Sequence, residues 1–177
     1  MNLSKALLAV VLLPGLAAAA PTVTFQGEVT SQTCQASING ETNSFVLLPT
    51  VPVTAFSGAG STAGLTPFSI TISNCQAPVA ADLAMKTNFL GRNVTAAGNL
   101  GNSATSNKAS DVEIQLTTDS TGTTPIVLNG VTAVPGLVLP QGSTSATYQF
   151  GAKYITEGGA PTAGQVTAVA EYTVSYQ

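Results

Sequence analysis

The sequence predicts an all-β fold, an antiparallel sandwich of two sheets, and three observations carry that reading. Apolar residues recur with a period of two in several short runs, the mark of strands with one buried face. Residues that favour turns, chiefly Gly, Pro, Asn and Ser, separate those runs at the spacing of sandwich strands. Beyond the N-terminal segment no stretch sustains a 3.6-residue amphipathic repeat, so almost no helix is expected.

The elements follow in chain order. Lys5 is a short positive region, Ala6–Leu13 an apolar run, Pro14-Gly15 a break, and Ala17-x-Ala19 a small-residue cleavage pattern. Together they read as a secretory signal over residues 1–19, too short to span a bilayer, with the mature domain at 20–177. Cutting after Ala19 is preferred, because cutting after Ala20 would place Pro21 first. The first strand alternates Val23, Phe25, Gly27 and Val29 with Thr24, Gln26, Glu28 and Thr30. Phe68, Ile70 and Ile72 alternate with Ser69, Thr71 and Ser73, ending just before Cys75. Leu83–Phe89 is a weaker strand stopped by Gly91, and Val112, Ile114 and Leu116 form a clean one. Pro125–Leu128 is short and closed by the turn dipeptide Asn129-Gly130. Tyr148, Phe150, Ala152 and Tyr154 alternate with Gln149, Gly151 and Lys153. From Val166 the last run places Ala168, Ala170, Tyr172, Val174 and Tyr176 on one face, with no closing element after it. Loops are expected at 57–64, 96–110 and 157–164, the first two as exposed variable loops. With no internal repeat or composition shift, the mature chain of roughly 158 residues reads as one sandwich of the immunoglobulin-like class. It has no Trp, the usual core marker of true immunoglobulin domains.

Composition narrows the function. Only 7% of residues are charged, and removing Lys5 takes the net charge from −3 to about −4, with no basic patch. Nucleic acid and membrane insertion are therefore not expected. Such a weakly charged surface suits packing against copies of itself. Cys34 and Cys75, an even pair in an exported chain without metal-ligand spacing, are expected to form a disulfide. Closing a loop of about 40 residues should stabilise by roughly 4 kcal/mol. Histidine is absent, and the acids Asp82, Asp111, Glu113, Asp119, Glu157 and Glu171 stand singly. No general base, nucleophile pair or zinc set emerges, so no enzyme and no cofactor is expected. Asp111 and Glu113 are read as a solvated strand face. Gly58-x-Gly60 is loop composition, and Asn93-Val94-Thr95 matches a glycosylation sequon of little weight in so Thr-rich a chain.

The ends and the bridge together are more specific. The stretch from Thr22 to Cys34, with Phe25-x-Gly27-x-Val29 ahead of the first cysteine, resembles the start of type 1 fimbrial pilins of the chaperone–usher route. Ile72-Ser-Asn-Cys75 resembles the family's second cysteine, and Gly151-Ala-Lys-Tyr154 its next-to-last strand. Glu171 to Gln177, with its penultimate Tyr, is similar to the family ending. The resemblance implies a sandwich lacking its C-terminal strand, completed in trans by donor-strand exchange. It implies identical pilin subunits, a periplasmic chaperone and an outer-membrane usher as partners, and a fimbrium at the cell surface reached through the bacterial periplasm. Tyr172, Val174, Tyr176 and Gln177 match the strand that pairs with the chaperone. Val23, Phe25, Gly27 and Val29, within a segment 20–30, are donor candidates. Only Ala20, Pro21 and Thr22 precede Val23 after cleavage, so the donor either overlaps the first strand or runs from Ala20 to near Gln26. The leading expectation is a major shaft subunit supporting adhesion and biofilm. A minor adaptor or terminator pilin is one alternative. A secreted carbohydrate-binding sandwich is another, disfavoured because Trp is absent and the four Tyr lie on strands that read as core.

Overall fold

The computed structural model describes residues 33–42 and 44–176. The signal segment, the strand expected at Val23, Phe25, Gly27 and Val29, and Gln177 lie outside the described residues. Among the described residues there are seven strands: β1 (Gln35–Ile38), β2 (Thr62–Ser73), β3 (Leu83–Arg92), β4 (Glu113–Thr117), β5 (Val131–Leu139), β6 (Ala146–Ile155) and β7 (Val169–Tyr176). The one helical element among the described residues is a 3₁₀ turn at Val53–Ala55. Two antiparallel sheets have the orders β1-β2-β6-β4 and β5-β3-β7, the two-layer antiparallel immunoglobulin-like sandwich that the alternation predicts.

The period-two stripes meet between the sheets. Phe150 of β6 sits at the centre, stacked on Phe68 at 5.5 Å between ring centroids and edge-on to Phe89 at 5.3 Å and Tyr148 at 4.8 Å. Around it Ile70, Ile114, Leu116, Ile126, Leu128 and Val134 complete one core cluster. A second cluster of Ile72, Cys75, Met85, Leu137 and Leu139 fills the end closed by the Cys34–Cys75 disulfide. Each fully buried side chain of this size contributes about 1.5–3 kcal/mol of hydrophobic stabilisation.

Several elements differ from the sequence expectation. β3 runs through Gly91 to Arg92, and β2 begins at Thr62, inside the stretch expected to be loop. β5 was not expected at all. Pro135 and Gly136 interrupt its pattern, and the pairing with β3 shifts register between Met85 and Lys86. Gly136 has φ +115°, and a Cβ there would lie 2.9 Å from the Tyr148 hydroxyl, so the kink requires glycine. Pro135 also removes a backbone donor from β5, an edge strand. Pro125–Leu128 is an extended segment bridged to β4 through Thr117 and Pro125, and Ile126 N–H donates to Leu116 O at 2.8 Å. Asn129-Gly130 then carries the chain across to the other sheet. The 96–110 loop is not wholly exposed, because Gly98–Asn102 is buried. Asn102 replaces a strand ladder there. Its Nδ2 donates to Ala109 O and Gln165 O at 2.9 and 2.8 Å, while its Oδ1 accepts from Ala104 N–H and Thr167 N–H.

Candidate strand-accepting groove

Strand β7 hydrogen-bonds to β3 along its whole length, from Met85↔Tyr176 to Arg92↔Val169. Its other edge has no strand partner among the described residues. Ala170, Tyr172 and Val174 point inward toward the two core clusters, as the alternation requires, and Tyr176 packs on the second of them. All four remain half-buried. Glu171, on the outward face, pairs instead with the Arg92 guanidinium, diagonally across from it on β3.

Facing that open edge is a wall the sequence reading did not identify. Residues 44–48 run extended after the β1 turn, with no ladder to any described strand. Val46 and Leu48 pack on the core cluster, whereas Phe45 and Leu47 point outward and are 95% and 88% exposed. The signal was hidden because Phe45-Val46-Leu47-Leu48 is apolar at every position, so its period cannot be read. Between this wall and β7 lies a cleft of about 520 Å³, floored by Phe68, Phe89, Leu116 and Ala152. Tyr172 reaches across it, its hydroxyl donating to Ala36 O of β1 at 3.4 Å. Burial pushes the Tyr172 phenol above its ordinary pKa. At the Val166 end the cleft adjoins a second cavity of about 500 Å³, the two sharing Tyr154, Val166 and Thr167.

The acids are arranged for structure. Asp111 is not on a strand face with Glu113: it lies before β4 with φ +54°. Its carboxylate accepts from Gly158 N–H and Ala160 N–H, each at 2.7 Å, and from the Thr156 hydroxyl at 2.8 Å. The Ala160 and Gly158 amides hold its pKa below the usual carboxylate value. Glu113, at the start of β4, is half-buried with one buried, unpartnered carboxylate oxygen. Desolvation, then the Glu157 and Asp111 charges, raise its pKa. The expected solvated face is thus a loop clamp beside a partly enclosed acid. Glu157 is itself occupied, accepting from Thr95 and Asn99 at 2.6 and 2.7 Å.

The geometry is therefore that of a sheet edge and an apolar cleft, open together, beside a disulfide-tied β1. Cys34 and Cys75 are joined as the residue count predicts. No helix among the described residues is long and apolar enough to cross a membrane. Residues 23–177 match the family model described as Fimbrial protein. The chain is 41% identical over 164 residues to the minor fimbrial subunit HifD of Haemophilus influenzae, covering 87% of this chain and 73% of that one. It is 33% identical over 164 residues to the major fimbrial subunit SMF-1 of Stenotrophomonas maltophilia (strain K279a), covering 90% and 94%. A solved chaperone–usher pilus shares the fold, with TM-score 0.59 and 18% identity over 93% of this chain and all of that one. Edge, cleft, disulfide and these matches agree: the chain belongs to the Fimbrial protein family and is a subunit of a surface fimbria.

Proposed function

We propose that this subunit polymerises by donor-strand exchange, lending an N-terminal arm to the groove of a neighbour and receiving one in return. The observation that carries the reading is that β7, on this side, and residues 44–48 have no ladder partner among the described residues, and both flank one apolar cleft. An extended segment laid between them would gain ladder hydrogen bonds on both sides and bury its alternate side chains among Ala170, Tyr172 and Val174. The described chain starts beside the Cys34–Cys75 bridge, at the Tyr176 end of β7. In a head-to-tail fibre the neighbour stands at the opposite, Val166 end. An arm reaching in from there runs antiparallel to β7.

The same exposure supports a chaperone. Unfilled, the cleft leaves half-buried apolar side chains beside a bare edge, a site for aggregation. A periplasmic chaperone pairing with Tyr172, Val174 and Tyr176 and engaging the Gln177 carboxylate would cover it until an outer-membrane usher exchanges it for the next subunit. Residues 1–19 serve export as a signal peptide, 20–177 form the pilin domain, and Val23, Phe25, Gly27 and Val29 supply or adjoin the donor. The subunit builds the fibre shaft and supports adhesion and biofilm rather than catalysis. Similarity to a minor subunit favours an adaptor or terminator as the second reading. Subunit stoichiometry in purified fimbriae separates the two.

The test is gel migration of surface material before and after boiling, with wild type compared against deletion of residues 20–26 and Phe25→Ala. A ladder collapsing to monomer in wild type and missing in the deletion is the expected result. Unchanged fibres from the deletion would refute the donor assignment. N-terminal sequencing of the monomer band checks cleavage after Ala19.

A further inference from the structure

The chain contains two Asn-Gly dipeptides, and the structure treats them differently. Asn39-Gly40 closes a two-residue hairpin, with φ +50° and +88°, pinned by Ile38 N–H to Glu41 O at 2.9 Å and Glu41 N–H to Ile38 O at 2.8 Å. The Asn39 side chain is held as well: its Oδ1 accepts from Ser69 N–H at 2.9 Å and lies 3.4 Å from the Ser69 hydroxyl. Asn129-Gly130 lies in the exposed crossing between the sheets, outside any strand. Its backbone is fixed, since Asn129 N–H donates to the Thr132 hydroxyl at 2.9 Å. The Asn129 carboxamide has no hydrogen-bond partner among the described residues. Gly130 has φ +61°, and nothing lies within 4 Å of where a Cβ would stand.

We propose that Asn129 is a site of spontaneous deamidation on the folded subunit, and that Asn39 is protected by its hydrogen bonds. The Gly130 backbone nitrogen, deprotonated by solvent base, attacks Asn129 Cγ. The new C–N bond forms as the C–NH₂ bond breaks, and ammonia leaves carrying a proton. Water then opens the five-membered imide at either carbonyl, giving aspartate or isoaspartate. Glycine is the residue that permits the attack, because no side chain shields its nitrogen. At Asn39 the same motion requires the Oδ1 bond to Ser69 to break first. One such bond corresponds to about a tenfold slower reaction.

The product matters where it forms. Each event adds one negative charge to a chain with few charges. Isoaspartate also lengthens the main chain by one carbon just ahead of Val131, whose partner on β3 is Leu90. The first rung of β5 should therefore loosen.

The experiment is incubation of assembled fimbriae in mildly alkaline buffer, with peptide mass mapping and enzymatic isoaspartate methylation at intervals. Urea-unfolded chain serves as the reference for the rate that sequence alone sets. The folded protein should accumulate modification at Asn129 about tenfold faster than at Asn39, while the unfolded chain modifies both alike. Asn129→Ser should remove most of the acidic species and leave only the slower fraction from Asn39. Equal rates at the two sites in the folded protein, or an acidic species undiminished in Asn129→Ser, would overturn the proposal.

Discussion

Strand β2 buries Phe68, Ile70 and Ile72, whereas β7, carrying the same alternation, leaves Ala170, Tyr172, Val174 and Tyr176 only half-buried. The residue types do not explain the contrast. Neighbours do: β2 lies between β1 and β6, while β7 has β3 on one side and the cleft on the other. A strand's pattern records the burial its surroundings can provide, and on β7 that provision is incomplete among the described residues. The inward face of β7 is thus a measure of what an incoming segment would still cover.

The sharpest way to break this comparison is to truncate one side chain on each side of it. Phe150→Ala should lower unfolding stability by about 3–5 kcal/mol in a urea titration, since the ring contacts three other aromatics. Val174→Ala should cost about 1 kcal/mol in the isolated subunit, yet weaken polymer formation more than that figure suggests. Equal losses from the two substitutions would mean that β7 is as enclosed as the centre of the sandwich. Removing the disulfide with Cys34→Ser and Cys75→Ser should cost roughly 4 kcal/mol, read from the same titration, because the bridge ties β1 to the end of β2.

Smaller effects sharpen the contrast between enclosed and open positions through pH. Glu113 has a raised pKa, so its contribution is fully present below its unfolded value of 4.5 and is lost as pH rises through its folded value. Asp111 is lowered, so its contribution is present above 3.8 and disappears as pH falls further. Glu113→Gln should therefore raise the thermal midpoint slightly at neutral pH and leave it nearly unchanged in acid. The smallest effect is expected at the groove's outer rung. Arg92→Ala removes an ion pair whose side chains are 69% and 51% exposed, and should change stability by about 0–1 kcal/mol, less in high salt.

The sequence made legible those parts whose pattern is local. Alternation located β2, β4, β6 and β7, and counting cysteines paired Cys34 with Cys75. β5 escaped because Pro135 and Gly136 break its period, and a proline in a strand is tolerated only where its missing donor faces no partner. That condition is a property of the sheet. The 44–48 wall escaped for the opposite reason, being apolar throughout. The buried stretch at 98–102 looked like exposed loop because its composition is polar. Asn102 satisfies buried backbone groups with its own amide, and only tertiary contacts reveal that. The receiving half of the site was thus partly legible through Tyr172, Val174 and Tyr176. Its opposite wall was not.

The kinked proline edge of β5 bears on architecture as well as on folding. A particle that could accept a strand at both rims of its sheets would build plaques or branched aggregates. Here one rim is blunted by a missing N–H and a shifted register, while the rim at β7 stays receptive. With the assembly proposed above, each unit has a valence of two, one socket and one plug. Pro135 leaves β5 one N–H fewer to offer an incoming strand, a disadvantage that β7 does not share.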